Sequence, residues 1–519
     1  MQLLVLFLFL FLVIIAYALC APPKPKLPPG SRLPPGPPGR PFVGNLPDIP
    51  PAHSWLKFKE WADIYGPIFR LNLMGRNMIV VSTEKIANEL LRERGTIYSS
   101  REQLPMAVQL MSQNLRLLFI PYGDLFRRVR KFMHILTMQS AAASYEPVQM
   151  HESARLLYGF LNDPSKYEEL FELYAGGLIM KIAYDKSVES TKDPDVRRAL
   201  QVVHTVERVA SPGAYLVDSF PLLNYLPKWL APFKREGEML HQREKSFYRE
   251  LLYGVRDRIR SEKCGDCFAR KFLENQDQFD LSDDEGAYAL GVLFEAGSGT
   301  TAAAMMSFCL AMCHHPDWQS KMQREVDEVV GSSRMPTFDD IPSLPTVRAV
   351  VKEALRWRPV TAGGIPHELT KDDVYEGFFF PAGSNIIPNQ WAIHREEKLY
   401  PDPETFNPER WLSADYPTFR EPLTKFPNLQ NFSAFGFGRR ICPGMNIAEK
   451  SLHLLTTRMA WAFTLKKRPG VEVPLYDYTS GFNVQPKPFV FDSEVRSPEK
   501  RDLIRKQWKE SMEKGPVSS

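Results

Sequence analysis

Phe435-Gly436-Phe437-Gly438-Arg439-Arg440-Ile441-Cys442-Pro443-Gly444 decides how the rest of the chain is read. It sets a cysteine at the end of a glycine-rich turn, just ahead of a helical run from Met445 to Phe463. Pro443 suits the first turn of a helix, where no backbone donor is needed. A thiol at that place feels the positive end of the helix dipole and is biased towards thiolate. Gly436 and Gly438 permit tight backbone geometry, so main-chain N–H groups can point at the sulfur. A thiolate so presented is a good soft ligand for iron. For one cysteine judged by itself, a buried structural thiol is the commoner outcome.

Upstream, Lys352-Glu353-Ala354-Leu355-Arg356 puts Glu353 and Arg356 on one helix face at i,i+3, and Phe406-Asn407-Pro408-Glu409-Arg410-Trp411 carries another arginine. Alone, the first pair reads as a surface ion pair worth about 0.3–0.5 kcal/mol. The longest helical signal starts at Ser282-Asp283-Asp284-Glu285, a capping box with extra acids in the first turn. It runs to His314-His315-Pro316, where proline stops it, about 50 Å at 1.5 Å per residue. From Ala287 to Cys313 the one charge is Glu295, so a transmembrane span competes with a buried central rod. Glu295 and the following Ala296-Gly297-Ser298-Gly299-Thr300-Thr301 favour the rod, because ionisable groups are costly mid-bilayer. Nearer the start, Ile68–Leu73 alternates, Gly75-Arg76-Asn77 turns, and Met78–Val81 returns, which predicts a β-hairpin. Thr83 then caps a helix ending near Gly95. Short strand-like pieces recur at Phe378–Phe380 and Asn385–Ile387. The fold class is mainly α with a minor β portion.

Leu3 to Ala21 has no charged side chain, and Lys24, Lys26, Arg32 and Arg40 follow it. About 20 apolar residues cross a bilayer as a helix, so this stretch predicts an N-terminal transmembrane anchor with the body in the cytosol. Small residues at Ala18-Leu19-Cys20 leave a cleaved signal peptide as the rival, without the basic region one needs. Thirteen of the 44 prolines fall between Pro22 and Pro51, predicting a stiff extended spacer. The chain divides into an anchor (1–21), a proline-rich hinge (22–51), a single large domain (52–496) and a polar tail expected to be loose (497–519). The 519 residues carry a net charge of +4, with 44% hydrophobic and 24% charged residues, which excludes a disordered chain and gives no reason to expect nucleic acid. Six cysteines are too few for a disulfide scaffold.

The stretch around Cys442 matches F-x-x-G-x-R-x-C-x-G throughout. With E-x-x-R at Glu353–Arg356, the Pro408-Glu409-Arg410-Trp411 segment and the Ala296–Thr301 motif in the expected order, the chain resembles the cytochrome P-450 family. That resemblance implies the family's fold and haem b (iron protoporphyrin IX), with Cys442 as the axial iron ligand and Phe435 beside its sulfur. It implies Gly438 and Gly444 in the cofactor loop, Arg130, His367 and Arg440 as partners of the haem propionates, and a core network of Glu353, Arg356 and Arg410. Thr300 is implied as the catalytic hydroxyl that orients proton delivery for O–O cleavage, beside a helix loosened by Gly297. Three positions depart from the pattern. Trp411 stands where the family's P-E-R-F segment has Phe. Phe126 stands where the family usually has Trp, which predicts one propionate hydrogen bond fewer. Gly299 stands where an acid is expected; Glu295 is a possible substitute, with a packing or solvent-channel role preferred for it.

The resemblance further implies a monooxygenase of the endoplasmic reticulum membrane, single-pass with a cytosolic catalytic domain. It would take electrons from NADPH through NADPH-cytochrome P-450 reductase, with cytochrome b5 as a second partner. Arg127, Arg128 and Lys131 are candidates for a basic reductase-docking surface. Segments such as Trp391–Arg395 and Leu399–Pro403 look most like filamentous-fungal enzymes of secondary metabolism, in the style of the O-methylsterigmatocystin oxidoreductase group, implying a lipophilic substrate. Its contacts are expected from Leu104–Leu118, Leu293, Phe294 and Val360–Ile365. A haem-thiolate isomerase or peroxide-driven enzyme is the alternative that Gly299 keeps open, and a non-catalytic haem-binding protein is another. Cys264-Gly265-Asp266-Cys267 lacks the second pair a zinc site needs and reads as loop. Cys309 and Cys313 read as buried thiols.

Overall fold

After a first helix, Ser54–Tyr65 (α1), the alternating stretch Ile68–Leu73 (β1) pairs antiparallel with Arg76–Val81 (β2), Ile68 opposite Val81 and Leu73 opposite Arg76. The turn is Met74-Gly75, with φ of 53° and 93°, one residue ahead of the expected position. A two-residue turn with both φ positive matches the right-handed twist of the strands, and glycine adopts it freely. Thr83 caps the next helix, Glu84–Asn88 (α2), by accepting from the Ile86 amide. The described residues, 26–211 and 213–514, are those of a computed structural model, and they divide into two units. The anchor expected over 1–21 lies outside the described residues.

One unit holds residues up to Glu102, Gly363–Ile393 and Phe437–Arg439. Its sheet runs β1, β2, Asn385–Pro388 (β6), His367–Glu368 (β3), with β2 parallel to β6. Asp373–Tyr375 (β4) and Phe378–Phe380 (β5) form a separate ribbon. Strand periodicity gives the sheet two apolar faces. Phe69, Leu71, Val80 and Ile387 pack on Phe58 and Trp61 of α1, while Ile68, Ile79, Val81 and Ile386 pack with Ile86, Leu90 and Leu91. Each such side chain contributes about 1.5–3 kcal/mol by burial.

Residues 32–45 of the proline strip do not form a free spacer. The Arg70 amide donates to Pro35 O at 2.8 Å, and the Asn45 amide donates to Asn72 O at 2.7 Å. Asn45 Oδ1 accepts from the Asn72 amide in return, at 2.9 Å. A Cβ at Gly36 would lie 2.0 Å from Arg70 O, so only glycine fits there. Proline has no backbone N–H, so at Pro35 the strip offers only a carbonyl to β1, while at Asn45 it both donates and accepts.

The other unit is helical, with Asp124–Thr137 (α3), Glu146–Asn162 (α4), Tyr167–Tyr184 (α5), Pro194–Ala210 (α6), Pro232–Arg260 (α7), Phe268–Glu274 (α8), Asp283–His314 (α9), Pro316–Val329 (α10), Pro345–Trp357 (α11) and Met445–Ala462 (α12). Phe463–Lys467 (β7) and Phe491–Val495 (β8) pair antiparallel, and Pro498–Lys514 (α13) ends the described chain. Ser282 and Glu285 form the expected capping box of α9. Among the described residues α9 alone is long and apolar enough to cross a membrane, yet 72% of its apolar window is buried inside the protein. It is the rod of this unit. A Cβ at Gly286, Gly291 or Gly297 would meet Phe272 of α8, Tyr248 of α7 or Ile179 of α5 at 2.1–2.4 Å, so these glycines set how closely three helices approach.

The expected loose tail is instead helical over α13. Trp508 stacks on Tyr158 of α4 with centroids 6.0 Å apart, His151 Nδ1 meets Ser511 Oγ at 2.6 Å, and Lys500 reaches Asp327 at 2.8 Å. Few apolar residues mark α13, and the contacts that hold it are supplied by α4 and α10. Cys309 and Cys313 are buried within α9, and Cys267 Sγ accepts from the Arg270 amide at the start of α8.

Candidate active site

The Cys442 loop closes on itself: the Cys442 amide donates to Phe435 O at 2.8 Å, and Gly436 turns the chain with φ 84°. Gly444 is the N-cap of α12, so Pro443 sits just before the helix rather than in its first turn. The Cys442 sulfur is half-buried, with the Gly444 and Met445 amides nearby at the start of α12. Burial pushes the thiol above its usual value, while those amides and Arg130 pull the other way. The helix-end bias expected from the sequence is present but outweighed by burial. Within the sheet-bearing unit, Gly438 has φ 54° and a Cβ there would lie 2.2 Å from Leu91 O, so the loop needs glycine for both conformation and space.

Arg130 and Arg440 lie in the same unit as Cys442. Arg130 of α3 is half-buried, has no carboxylate partner among the described residues, and is pushed below its usual value by burial. Arg440 donates to Leu117 O at 3.1 Å and Ile120 O at 2.5 Å. Its guanidinium lies 3.8 Å from the centroid of Phe126, so the ring that replaces an indole serves as a cation–π platform. Arg128 is committed to Asp124 at 2.9 Å and Glu285 at 3.6 Å, and Arg127 also reaches Asp124 at 3.4 Å, so both arginines of that helix face are paired with its first-turn acid.

In the sheet-bearing unit His367 is buried and its Nδ1 donates to Tyr98 O at 2.8 Å. Beside it stands a cation that the sequence motifs do not mark. Arg101 is buried, donates to Ile365 O at 3.3 Å and to Pro366 O, and is pushed down to about 9 by burial. Its sequence signal is a lone arginine, in Ser99-Ser100-Arg101-Glu102, just ahead of the apolar run from Leu104.

On α9, Thr300 Oγ1 donates to Ala296 O at 2.8 Å. Gly297 faces Ile179 in an unbroken helix, so its immediate role is packing. A Cβ at Gly299 would meet Asn483 Nδ2 at 3.5 Å, an ordinary contact, so an amide rather than an acid neighbours this position. Glu295 is buried, and its carboxylate accepts from Arg116, which also holds Glu244.

The core network assembles as the motifs imply. Glu353 accepts from Arg356 Nε and Nη2, both at 2.8 Å, from Arg410 Nε at 3.3 Å and from the Asn407 amide at 2.8 Å. Trp411, at the place of the family's Phe, adds an indole donor at 3.2 Å.

The donor set fits a haem. A cysteine sulfur presented by such a loop is a soft ligand for iron, and the Arg130 guanidinium, without a carboxylate partner among the described residues, suits a carboxylate. The described residues offer no group of three His, Cys, Asp or Glu able to hold a metal.

Residues 34–492 match the family model described as Cytochrome P450. The chain is 37% identical over 465 residues to cytochrome P450 monooxygenase 113 of Postia placenta, covering 89% of this chain and 91% of that protein. It is 35% identical over 482 residues to cytochrome P450 monooxygenase virE of Hypocrea virens, covering 92% and 87%. It is also 35% identical over 487 residues to cytochrome P450 monooxygenase fogE of Aspergillus ruber, covering 92% and 90%.

Proposed function

Because this chain belongs to the cytochrome P450 family and is a monooxygenase, we propose that it oxidises a lipophilic small molecule in fungal secondary-metabolite biosynthesis, using O2 and electrons from NADPH delivered by a reductase. The observation that carries this reading is the closed Cys442 loop, in which the Cys442 amide donates to Phe435 O and sets the sulfur just ahead of α12. When bound there, haem supplies the oxygen-activating chemistry. Cys442 holds the iron, and Phe435 with the glycines Gly438 and Gly444 shapes the loop around the sulfur. Arg130 and Arg440 of the helical unit are the propionate partners there, and the sheet-bearing unit offers His367, with Arg101 beside it, for the same role. Thr300 holds a proton donor towards the reacting oxygen from the helix side. Leu293, Phe294 and the segment Leu104–Leu118 exclude water from the substrate.

Membrane attachment through residues 1–21 belongs to the same proposal. A second feature supports it: Leu216, Leu222, Tyr225 and Trp229 are 62–86% exposed within one short segment, an apolar patch of the kind that seeks a non-aqueous partner. Gly299 favours a second reading, a peroxide-driven enzyme or isomerase, because Asn483 rather than an acid stands beside it. The test is turnover of the extract that accumulates in a strain lacking this gene, with membranes carrying the full chain. Conversion that requires NADPH, reductase and O2 is expected; conversion without electrons would replace this reading with the second.

A further inference from the structure

Arg116, Glu244 of α7 and Glu295 of α9 meet inside the helical unit from sequence separations of 128 and 179 residues. Arg116 Nη2 donates to Glu244 Oε1 at 2.5 Å, and Nη1 donates to Glu295 Oε2. Arg116 and Glu244 are 2% exposed and Glu295 is 8% exposed. Each carboxylate spends one oxygen on the guanidinium. Glu244 Oε2, Glu295 Oε1 and Arg116 Nε have no hydrogen-bond partner among the described residues.

One guanidinium between two ionised carboxylates leaves a net charge of −1 in a site closed to water, which is strongly unfavourable. The surroundings do not neutralise it. On α7, Lys245 and Arg249 are committed to Asp284, at 2.6 and 2.5 Å. His241 is buried, held below its usual value by burial, and placed against Met111 O and Tyr288 Oη. Tyr288 of α9 and Tyr184 of α5 bring phenols, not cations.

We propose that Arg116, Glu244 and Glu295 form a proton-sharing clasp: the two carboxylates hold one proton between them, and the neutral cluster positions the segment 112–120 and α7 against α9 beside Ala296–Thr301. The positioning role rests on reading Ala296–Thr301 as the oxygen-activating stretch. The clasp joins two segments expected to contact substrate, so these three are positioning residues that act through the loop and helices they tie. Burial, opposed by Arg116 and aided by the Glu295 charge, pushes the Glu244 carboxyl up to about 7, and burial pushes Glu295 the same way. A carboxyl raised on folding adds stability that is complete below its unfolded value and lost as pH rises through the folded one. The clasp is therefore closed below the ordinary 4.5 and loosens as pH rises through about 7.

The test uses the full chain loaded with haem in detergent, from about pH 5.5 to about pH 8. Wild type is expected to lose roughly 2–5 °C of melting temperature across that range, with faster hydrogen–deuterium exchange in 112–120. E244Q, which mimics the protonated carboxyl, keeps the low-pH melting temperature throughout. E244Q/E295Q strands the guanidinium and exchanges fast at every pH. The same pH dependence in E244Q as in wild type, or a double variant indistinguishable from E244Q, would overturn the shared proton. Positioning is read from the rate at which 4-phenylimidazole reaches the haem. That rate is expected to rise at least about threefold with pH in wild type and to be high at every pH in R116Q. A pH-independent rate in wild type would overturn the positioning role. Wild type that takes up no haem would instead sink the reading of the Cys442 site, while melting and exchange still decide the shared proton.

Discussion

The helical unit contains two buried ionic clusters with opposite surpluses. Glu353 faces two arginines, Arg356 and Arg410, whereas Arg116 faces two glutamates, Glu244 and Glu295. The positive surplus is absorbed by carbonyls: Arg356 donates to His394 O at 2.9 Å and Pro403 O at 2.8 Å, and Arg410 to Asp402 O at 2.5 Å. No side-chain atom of Glu353, Arg356 or Arg410 is orphaned among the described residues. The negative surplus has no such outlet, because the amides of the helix interiors around Glu244 and Glu295 are committed to their own helices. Irregular backbone can take up extra cations; packed helices cannot take up extra anions without a proton.

That contrast can be broken by removing partners, and the effects should descend in order. E353A strands two buried guanidinium groups and should cost about 3–5 kcal/mol, read as loss of the haem-loaded fraction and a lower denaturant midpoint. R116Q leaves two buried carboxylates, of which further proton uptake relieves part, and should cost about 2–4 kcal/mol by the same measurement. W411F removes one donor of several from Glu353 and should cost about 1 kcal/mol. E244Q should change stability at neutral pH by no more than about 0.5 kcal/mol. Were E244Q as damaging as E353A, the two clusters would be the same kind of object and the comparison would fail.

The same contrast explains what the sequence reveals. Glu353 and Arg356 are one helical turn apart, and Arg410 lies in its own recognisable segment, so local spacing announces the cluster. The Cys442 loop, the hairpin from Ile68 to Val81, the Thr83 cap and the Ser282–Glu285 capping box are legible for the same reason: their partners are near neighbours in sequence. Glu295 stands out as the one charge of an apolar run, but Arg116 and Glu244 are ordinary charges until folding brings them to it, and no period or motif joins the three. Arg101 is similarly silent, because its acceptors are carbonyls at 365 and 366. Helix α13 was hidden by composition, since it depends on Tyr158, His151 and Asp327 for its contacts. At Phe126 the lost indole N–H is legible in the sequence, whereas the Arg440 guanidinium over its ring is not, because the two are over 300 residues apart.

Under the proposed function, Cys442 would hold haem iron through its sulfur. The most direct measurement is the absorption spectrum of the reduced, CO-bound protein, taken for wild type and for Cys442→Ala at matched concentration. Wild type should give the thiolate-type Soret band, and the variant should lack it while retaining the helical content of the fold. A thiolate-type band that survives in Cys442→Ala would contradict the assignment.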